Sequence, residues 1–129
     1  MIASPTRVGL LGCALVVALT ALTLLAGRVT LVRVGGGSMA PALWPGDLCI
    51  VLDDPSPSTR DVVLFVADGH RQRVLHRVRA QQGSRLVTQG DANPLPDRNS
   101  VARENVVGRV AAVVPIGRIV HRWQVALCE

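Results

Sequence analysis

Residues 72–80 read Gln-Arg-Val-Leu-His-Arg-Val-Arg-Ala, and this stretch indicates a β protein. Val74, His76 and Val78 occupy every second position, and the positions between them carry mostly arginine. Side chains alternate between the two faces of a strand, so the pattern predicts a strand with one apolar face that carries a histidine. A lone histidine on such a face is more often a core residue than a catalyst, so its role stays open at this point.

Similar short runs flank this strand on both sides. Apolar segments separated by Gly, Pro and Asp predict strands at residues 29–34, 48–52, 61–66, 85–89 and 106–114, with a hairpin turn at Asp68-Gly69-His70. No helical stripe is evident after residue 28, and residues 119–127 are expected to finish a strand or to lie at a membrane surface. Residues 28–129 are therefore expected to form a mostly β domain, compact and antiparallel.

The segment from Val8 to Gly27 contains no charged residue. As a helix it rises about 30 Å, the thickness of the hydrocarbon core of a bilayer. We expect one N-terminal transmembrane helix at residues 8–27, preceded by a cap at residues 1–7. A cleaved export signal is the alternative, but a cut after Ala26 places Leu24 where a small residue is preferred. Arginines on both sides leave the orientation open.

The amino-acid composition indicates which classes of molecule the chain is suited to bind. The net charge of +5 comes entirely from fourteen arginines, and lysine is absent. Scattered arginines with only one Phe and two Trp argue against nucleic acid, and anionic lipid is the more natural partner. Cys13, Cys49 and Cys128 are an odd number without metal-ligand spacing, so they are read as hydrophobic residues or a free thiol. No cofactor and no metal is expected.

Three residue types that support nucleophilic catalysis occur in separate segments. Ser38 follows three glycines, which permit close approach of a substrate. The same residues also fit a plain Gly-Ser linker. Serine needs an adjacent base, and in a chain without lysine His76 is the histidine that a strand would hold rigidly. Asp91 and Asp97 lie in a loop at residues 90–97 that also fits an ordinary proline-rich turn. A catalytic triad requires one such carboxylate.

The order of these motifs resembles type I signal peptidases, in the histidine-using branch of the endoplasmic reticulum and archaea that also occurs in some Gram-positive bacteria. The resemblance covers residues 35–117. The motifs are Gly37-Ser38-Met39-Ala40-Pro41, Gly46-Asp47, His76-Arg77-Val78, Gly90-Asp91-Ala92-Asn93 with Asp97, Val107-Gly108-Arg109-Val110, and Val114-Pro115-Ile116-Gly117. It implies that Ser38 is the nucleophile, His76 the general base and Asp97 the better candidate for the triad acid. Asp91 would support the site.

Two positions depart from the pattern of these relatives. Ala42 stands where threonine often follows the motif proline, and Gly36 stands where a serine hydroxyl often helps to hold the oxyanion. The oxyanion hole would then depend on backbone N–H groups, including that of Ser38. The loss of one donor costs on the order of 10²-fold in rate.

The resemblance implies a single-pass serine endopeptidase of the plasma membrane with its catalytic domain on the extracytoplasmic side. Its partners would be preprotein signal peptides and membrane lipid, together with contacts to the secretion machinery. Trp44 would lie either at the bilayer interface or partly in the core. A dedicated membrane protease for one secreted or pilin-like precursor, and a non-catalytic membrane-anchored β module, remain alternatives. The lack of lysine excludes the serine–lysine mechanism of self-cleaving repressors.

Overall fold

The computed structural model describes residues 5–54, 56–67, 69 and 71–126, with the side chains at 5–11, 23–26 and 124–126 excepted. Cys128, part of the 1–7 cap and both flanking residues of the expected turn at Asp68-Gly69-His70 lie outside this range.

The described chain is mostly β, with one helix at each end. The elements are α1 Pro5–Ala26, β1 Val29–Arg33, β2 Leu48–Leu52, β3 Val62–Val66, β4 Arg73–Gln82, β5 Arg85–Gln89, β6 Val101–Ala102, a 3₁₀ turn Arg103–Asn105, β7 Val106–Val114 and α2 Ile116–Ala126. The strands form a single seven-stranded sheet in the order β1-β2-β7-β3-β4-β5-β6. Each pairing is antiparallel. The expected compact antiparallel β domain is confirmed.

Two apolar cores lie on opposite faces of the sheet. In β3, Leu64 belongs to one core, with Met39, Leu43 and Val51. Its neighbours Val63 and Phe65 belong to the other core, as strand alternation requires. Because β3 is buried on both faces, its sequence is a continuous apolar run rather than an alternating one.

The sequence shows no evident helical stripe after residue 28, yet residues 116–126 form the helix α2, so the expectation that residues 119–127 finish a strand is wrong. The alternative, a position at a membrane surface, stays a prediction. The Gly46-Asp47 turn, which lies far earlier in the chain, fixes the start of this helix. Asp47 is fully buried, and its Oδ1 accepts a hydrogen bond of 3.1 Å from the N–H of Arg118. Gly117 packs so closely on the Pro45 carbonyl that a Cβ would collide with it. The Gly46-Asp47 motif and the motif that contains Gly117 are therefore in direct contact, and this contact joins α2 to the domain.

The N-terminal helix α1 covers most of the segment expected to cross a membrane. Its described side chains, at residues 12–22, are all exposed. Within the part of the chain for which side chains are described, no helix combines the length and the apolar character that a bilayer crossing needs.

Candidate active site

Strand β4 holds His76 in the interior of the sheet, between β3 and β5. Its register places His76 opposite Val63 of β3. Val74 and Val78 pack in the same apolar core, so the predicted apolar face of this strand is confirmed. The His76 side chain is 11% exposed, and the edge-on ring of Phe65 lies 6.3 Å away from its ring, centroid to centroid. The imidazole is therefore held within a rigid layer.

Ser38 lies in the turn that follows β1. Two buried apolar residues, Met39 and Leu43, fix this turn to the core, and the Leu43 N–H donates to the Met39 carbonyl at 2.9 Å. The turn is closed at its base, where the Gly46 N–H donates to the Val34 carbonyl at 2.8 Å. Ser38 is half-buried beside this anchored segment. Ser38 is thus part of the folded domain, and the alternative of a plain Gly-Ser linker does not describe it.

The fold brings Ser38, His76 and Asp97 together in one chain of contacts. Ser38 Oγ lies 3.2 Å from His76 Nε2, and His76 Nδ1 lies 2.6 Å from Asp97 Oδ2. If Nδ1 carries the proton, it donates to the carboxylate, and Nε2 is then free to accept the serine proton. This is the order of contacts in which a serine hydroxyl is activated for acyl transfer.

Thr88 is a site residue that the sequence analysis missed. It is fully buried in β5, and its hydroxyl donates to Asp97 Oδ2 at 2.6 Å. The backbone of Asp97 also donates to the Thr88 carbonyl at 2.8 Å. These two bonds fix both the loop and the direction of the carboxylate. The available signal was a hydroxyl two residues after buried Leu86, on the same face of the strand.

Asp91 forms no hydrogen bond with His76. Its two carboxylate oxygens accept bonds from Arg77 Nε and Nη2 at 2.8 and 2.6 Å. This bidentate hydrogen bonding holds the pKa of Asp91 below its ordinary value, despite partial burial. The same pairing raises the pKa of Arg77. Asp91 therefore stays ionised as the partner of an arginine.

The loop that contains Asp91 supports the backbone of Ser38. The Ala92 N–H donates to the Ser38 carbonyl at 2.8 Å. Gly90 lies so near that a Cβ there would be 2.6 Å from the same carbonyl oxygen. The backbone of the Gly-Asp-Ala-Asn motif thus positions Ser38. Arg77 in turn holds the side chain of Asp91 in this motif.

Two other candidate groups that the structure describes, His121 and Cys49, form no hydrogen bond with Ser38 or His76. His121 is on α2, where its ring centroid lies 5.4 Å from that of Trp44 with the two rings tilted by 48°, and His70 lies outside the described residues. Cys49 is fully buried, and this burial raises the pKa of its thiol, with Asp47 as a second cause. Its expected role as a buried hydrophobic residue agrees with this environment.

A cleft of about 370 Å³ opens beside Ser38, between the end of β1 and the start of β4. Apolar residues line much of it, among them Val32, Val34, Leu64 and Leu75, together with Gly35 and Gly36. The cleft is thus mainly apolar and lies next to the serine hydroxyl. An extended chain with small apolar side chains fits its chemistry.

No known protein family and no curated protein matched the sequence. The chemical reading of the site therefore rests on its geometry. A hydroxyl, an imidazole and a carboxylate in this order can activate a serine for attack on a carbonyl carbon.

Proposed function

We propose that this chain is a membrane-anchored serine endopeptidase of the type I signal peptidase kind, which removes signal peptides from exported preproteins. The observation that carries the proposal is the continuous contact from Ser38 Oγ to His76 Nε2, at 3.2 Å, and from His76 Nδ1 to Asp97 Oδ2, at 2.6 Å. The order of motifs that resembles these enzymes supports the same reading.

In the proposed mechanism, His76 Nε2 takes the proton of Ser38 as Oγ attacks the scissile carbonyl carbon. The C–N bond then breaks, and the imidazolium gives its proton to the leaving amine. A water molecule next loses a proton to His76 and attacks the acyl-enzyme, which releases a carboxylate and restores the Ser38 hydroxyl. Asp97 holds the ring and stabilises its transient positive charge.

The oxyanion would be stabilised by backbone N–H groups. Among hydrogen bonds between described residues, none uses the N–H of Ser38, so it remains available. Gly36 supplies no hydroxyl, yet a Cβ at this position would meet no atom within 4 Å. We therefore expect Gly36→Ser to raise kcat by up to about 10²-fold and Gly36→Ala to leave it nearly unchanged. Equal rates for the two variants would contradict this assignment.

The proposed substrate is an extended preprotein segment that adds as a strand beside the site. The apolar cleft next to Ser38 would accept small side chains that precede the scissile bond. Contacts with the secretion machinery would deliver such segments to the enzyme.

We further propose that α1 anchors the chain in the plasma membrane, with the catalytic domain on the extracytoplasmic side. The support is the uncharged sequence from Val8 to Gly27, together with the helix that covers most of it. Large apolar residues on its described part, such as Leu15, Val17 and Leu22, are more than 60% exposed. A helix of this kind is stable where lipid surrounds it.

The test is cleavage of a preprotein by the purified full chain in detergent. We expect Ser38→Ala to abolish cleavage, because no other described hydroxyl contacts His76. Ser84→Ala is the matched control, because Ser84 lies exposed in the β4–β5 turn. Far-UV circular dichroism of both variants checks that the fold is retained. Cleavage by folded Ser38→Ala at the native rate would reject the proposal.

A further inference from the structure

Helix α2 carries its apolar residues on one side. Ile116, Ile119, Val120 and Trp123 follow the spacing of a single helical stripe. Their side chains are 47%, 52%, 50% and 67% exposed. The stripe thus faces away from the domain.

The opposite side of α2 contacts the domain through small and polar residues. Gly117 is buried against the Pro45–Gly46 backbone. Arg118 Nη2 donates to the carbonyls of Pro41 and Ala42 at 2.9 and 3.2 Å. The ring of His121 lies 5.4 Å from that of Trp44, centroid to centroid, at a tilt of 48°. This orientation is the reverse of a surface helix in water, which turns its apolar side to the core.

The exposed apolar residues of α2 form one stripe because they recur at helical spacing. A group of exposed apolar residues of this kind, unlike a single one, marks an interaction site. We call this stripe the α2 surface: Ile116, Ile119, Val120 and Trp123. Val113 and Val114, at the end of β7 just before the helix, are 37% and 41% exposed, and strand alternation directs their side chains to opposite faces of the sheet.

The charges around the α2 surface identify its partner. Residues 113–126 contain no acidic residue. Arg122 is exposed and forms no ion pair with any residue that the structure describes. An exposed tryptophan on a basic amphipathic helix is typical of a helix that lies in the plane of an anionic bilayer. The exposed, uncharged residues 12–22 of α1 give the same chain a second lipid-compatible surface.

We propose that the α2 surface lies on an anionic lipid bilayer, with its apolar stripe inserted at the boundary between headgroups and acyl chains. The contact explains why α2 packs with its polar side inward. It holds the turn that contains Ser38 close to the membrane, because Arg118 binds the Pro41 and Ala42 carbonyls of that turn. The inference is independent of whether Ser38 is a nucleophile.

The test uses tryptophan fluorescence of the full chain, reconstituted in vesicles of phosphatidylcholine with or without phosphatidylglycerol. In the Trp44→Phe chain, Trp123 is the remaining tryptophan, and lipids brominated at different depths should quench it most strongly about 5–10 Å into the interface. The Trp123→Phe chain reports on Trp44, on the domain side of α2, and should be quenched less. Trp123 emission that no brominated lipid quenches would overturn the proposal. Blue-shifted but unquenched emission would do the same, because it indicates that protein, such as a second copy, covers the surface.

The contribution of charge is tested separately. Phosphatidylglycerol should increase the quenching of Trp123, and Arg122→Gln should reduce this increase because it removes a cation next to the stripe. Arg71→Gln removes the same charge at the β3–β4 connection and should leave the increase unchanged. If Arg122→Gln and Arg71→Gln behave alike, the preference for anionic lipid is wrong.

Discussion

Asp91 and Asp97 lie six residues apart in one loop, and their side chains bind different partners. Asp97 binds the ring of His76 and the hydroxyl of Thr88, whereas Asp91 binds the guanidinium of Arg77. His76 and Arg77 are neighbours on β4, so their side chains leave opposite faces of the sheet. Strand alternation thus separates a carboxylate that orients an imidazole from one that holds the loop in place.

Between the two aspartates and their partners, the largest expected effect comes from Asp97→Asn. The amide cannot accept the Nδ1 proton as a carboxylate does and favours the wrong ring tautomer, so kcat/KM should fall by about 10³–10⁴-fold. Preprotein cleavage by the purified full chain measures it. A loss no greater than that of Asp91→Asn would remove the distinction between the two aspartates.

Within the same comparison, Thr88→Val should have the next largest effect. Valine keeps the shape of the buried side chain but removes the hydroxyl that donates to Asp97 Oδ2 at 2.6 Å. We expect kcat to fall about tenfold, equivalent to about 1.4 kcal/mol, while KM stays nearly unchanged. Thr88→Ser restores the hydroxyl and should recover most of the rate. Failure of serine to rescue would show that packing, not the hydrogen bond, matters.

Asp91→Asn should act on stability more than on chemistry. The side chains of Arg77 and Asp91 are 26% and 14% exposed, so the loss of their charged pair should lower the free energy of unfolding by about 1–3 kcal/mol. The rate should fall less than in Asp97→Asn. Urea unfolding in detergent measures the change, with Asp53→Asn at an exposed carboxylate as the control. Unchanged stability would contradict a supporting role.

The smallest expected effect is the pH dependence of the stability that the Arg77–Asp91 pair contributes. Because the folded pKa of Asp91 lies below its ordinary value of 3.8, the pair contributes fully above that value. The contribution is lost as the pH falls through the lower folded pKa. The stability difference between the native chain and Asp91→Asn should therefore be constant near neutral pH and shrink below about pH 4. A difference that persists unchanged in strong acid would exclude the ionised pair as its source.

The sequence predicted the sheet well because strand patterns are local. The bounds of β2, β5 and β7 agree with the apolar runs, and β1, β3 and β4 differ by one or two residues at their ends. The two-residue β6 was missed, because so short a pairing depends on the position of β5 and leaves no pattern of its own.

Helix α2 was missed for a different reason. Its apolar stripe faces outward, and its attachment uses Gly117 and the Asp47 carboxylate, which lies 71 positions earlier in the chain than Arg118. Periodicity is read on the assumption that the apolar side of an element faces the core, and here that assumption fails.

The candidate site also combines features that can be read locally in the sequence with contacts that depend on the fold. Ser38, His76 and Asp97 were selected from residue chemistry and from a resemblance, and the fold brings them into contact. The pairing of Asp91 with Arg77 and the contact of Thr88 with Asp97 are not visible in the sequence. Both depend on how the loop at residues 90–97 folds back across β4 and β5.

The most direct test of the proposed nucleophile is to trap the acyl-enzyme. The full chain is mixed with an ester analogue of a preprotein segment, quenched in acid during turnover, digested and analysed by mass spectrometry. The proposed mechanism predicts an acyl group on the peptide that contains Ser38, and its absence in Ser38→Ala and His76→Ala. Turnover with the acyl group on another residue, or with an unmodified Ser38 peptide throughout, would contradict it.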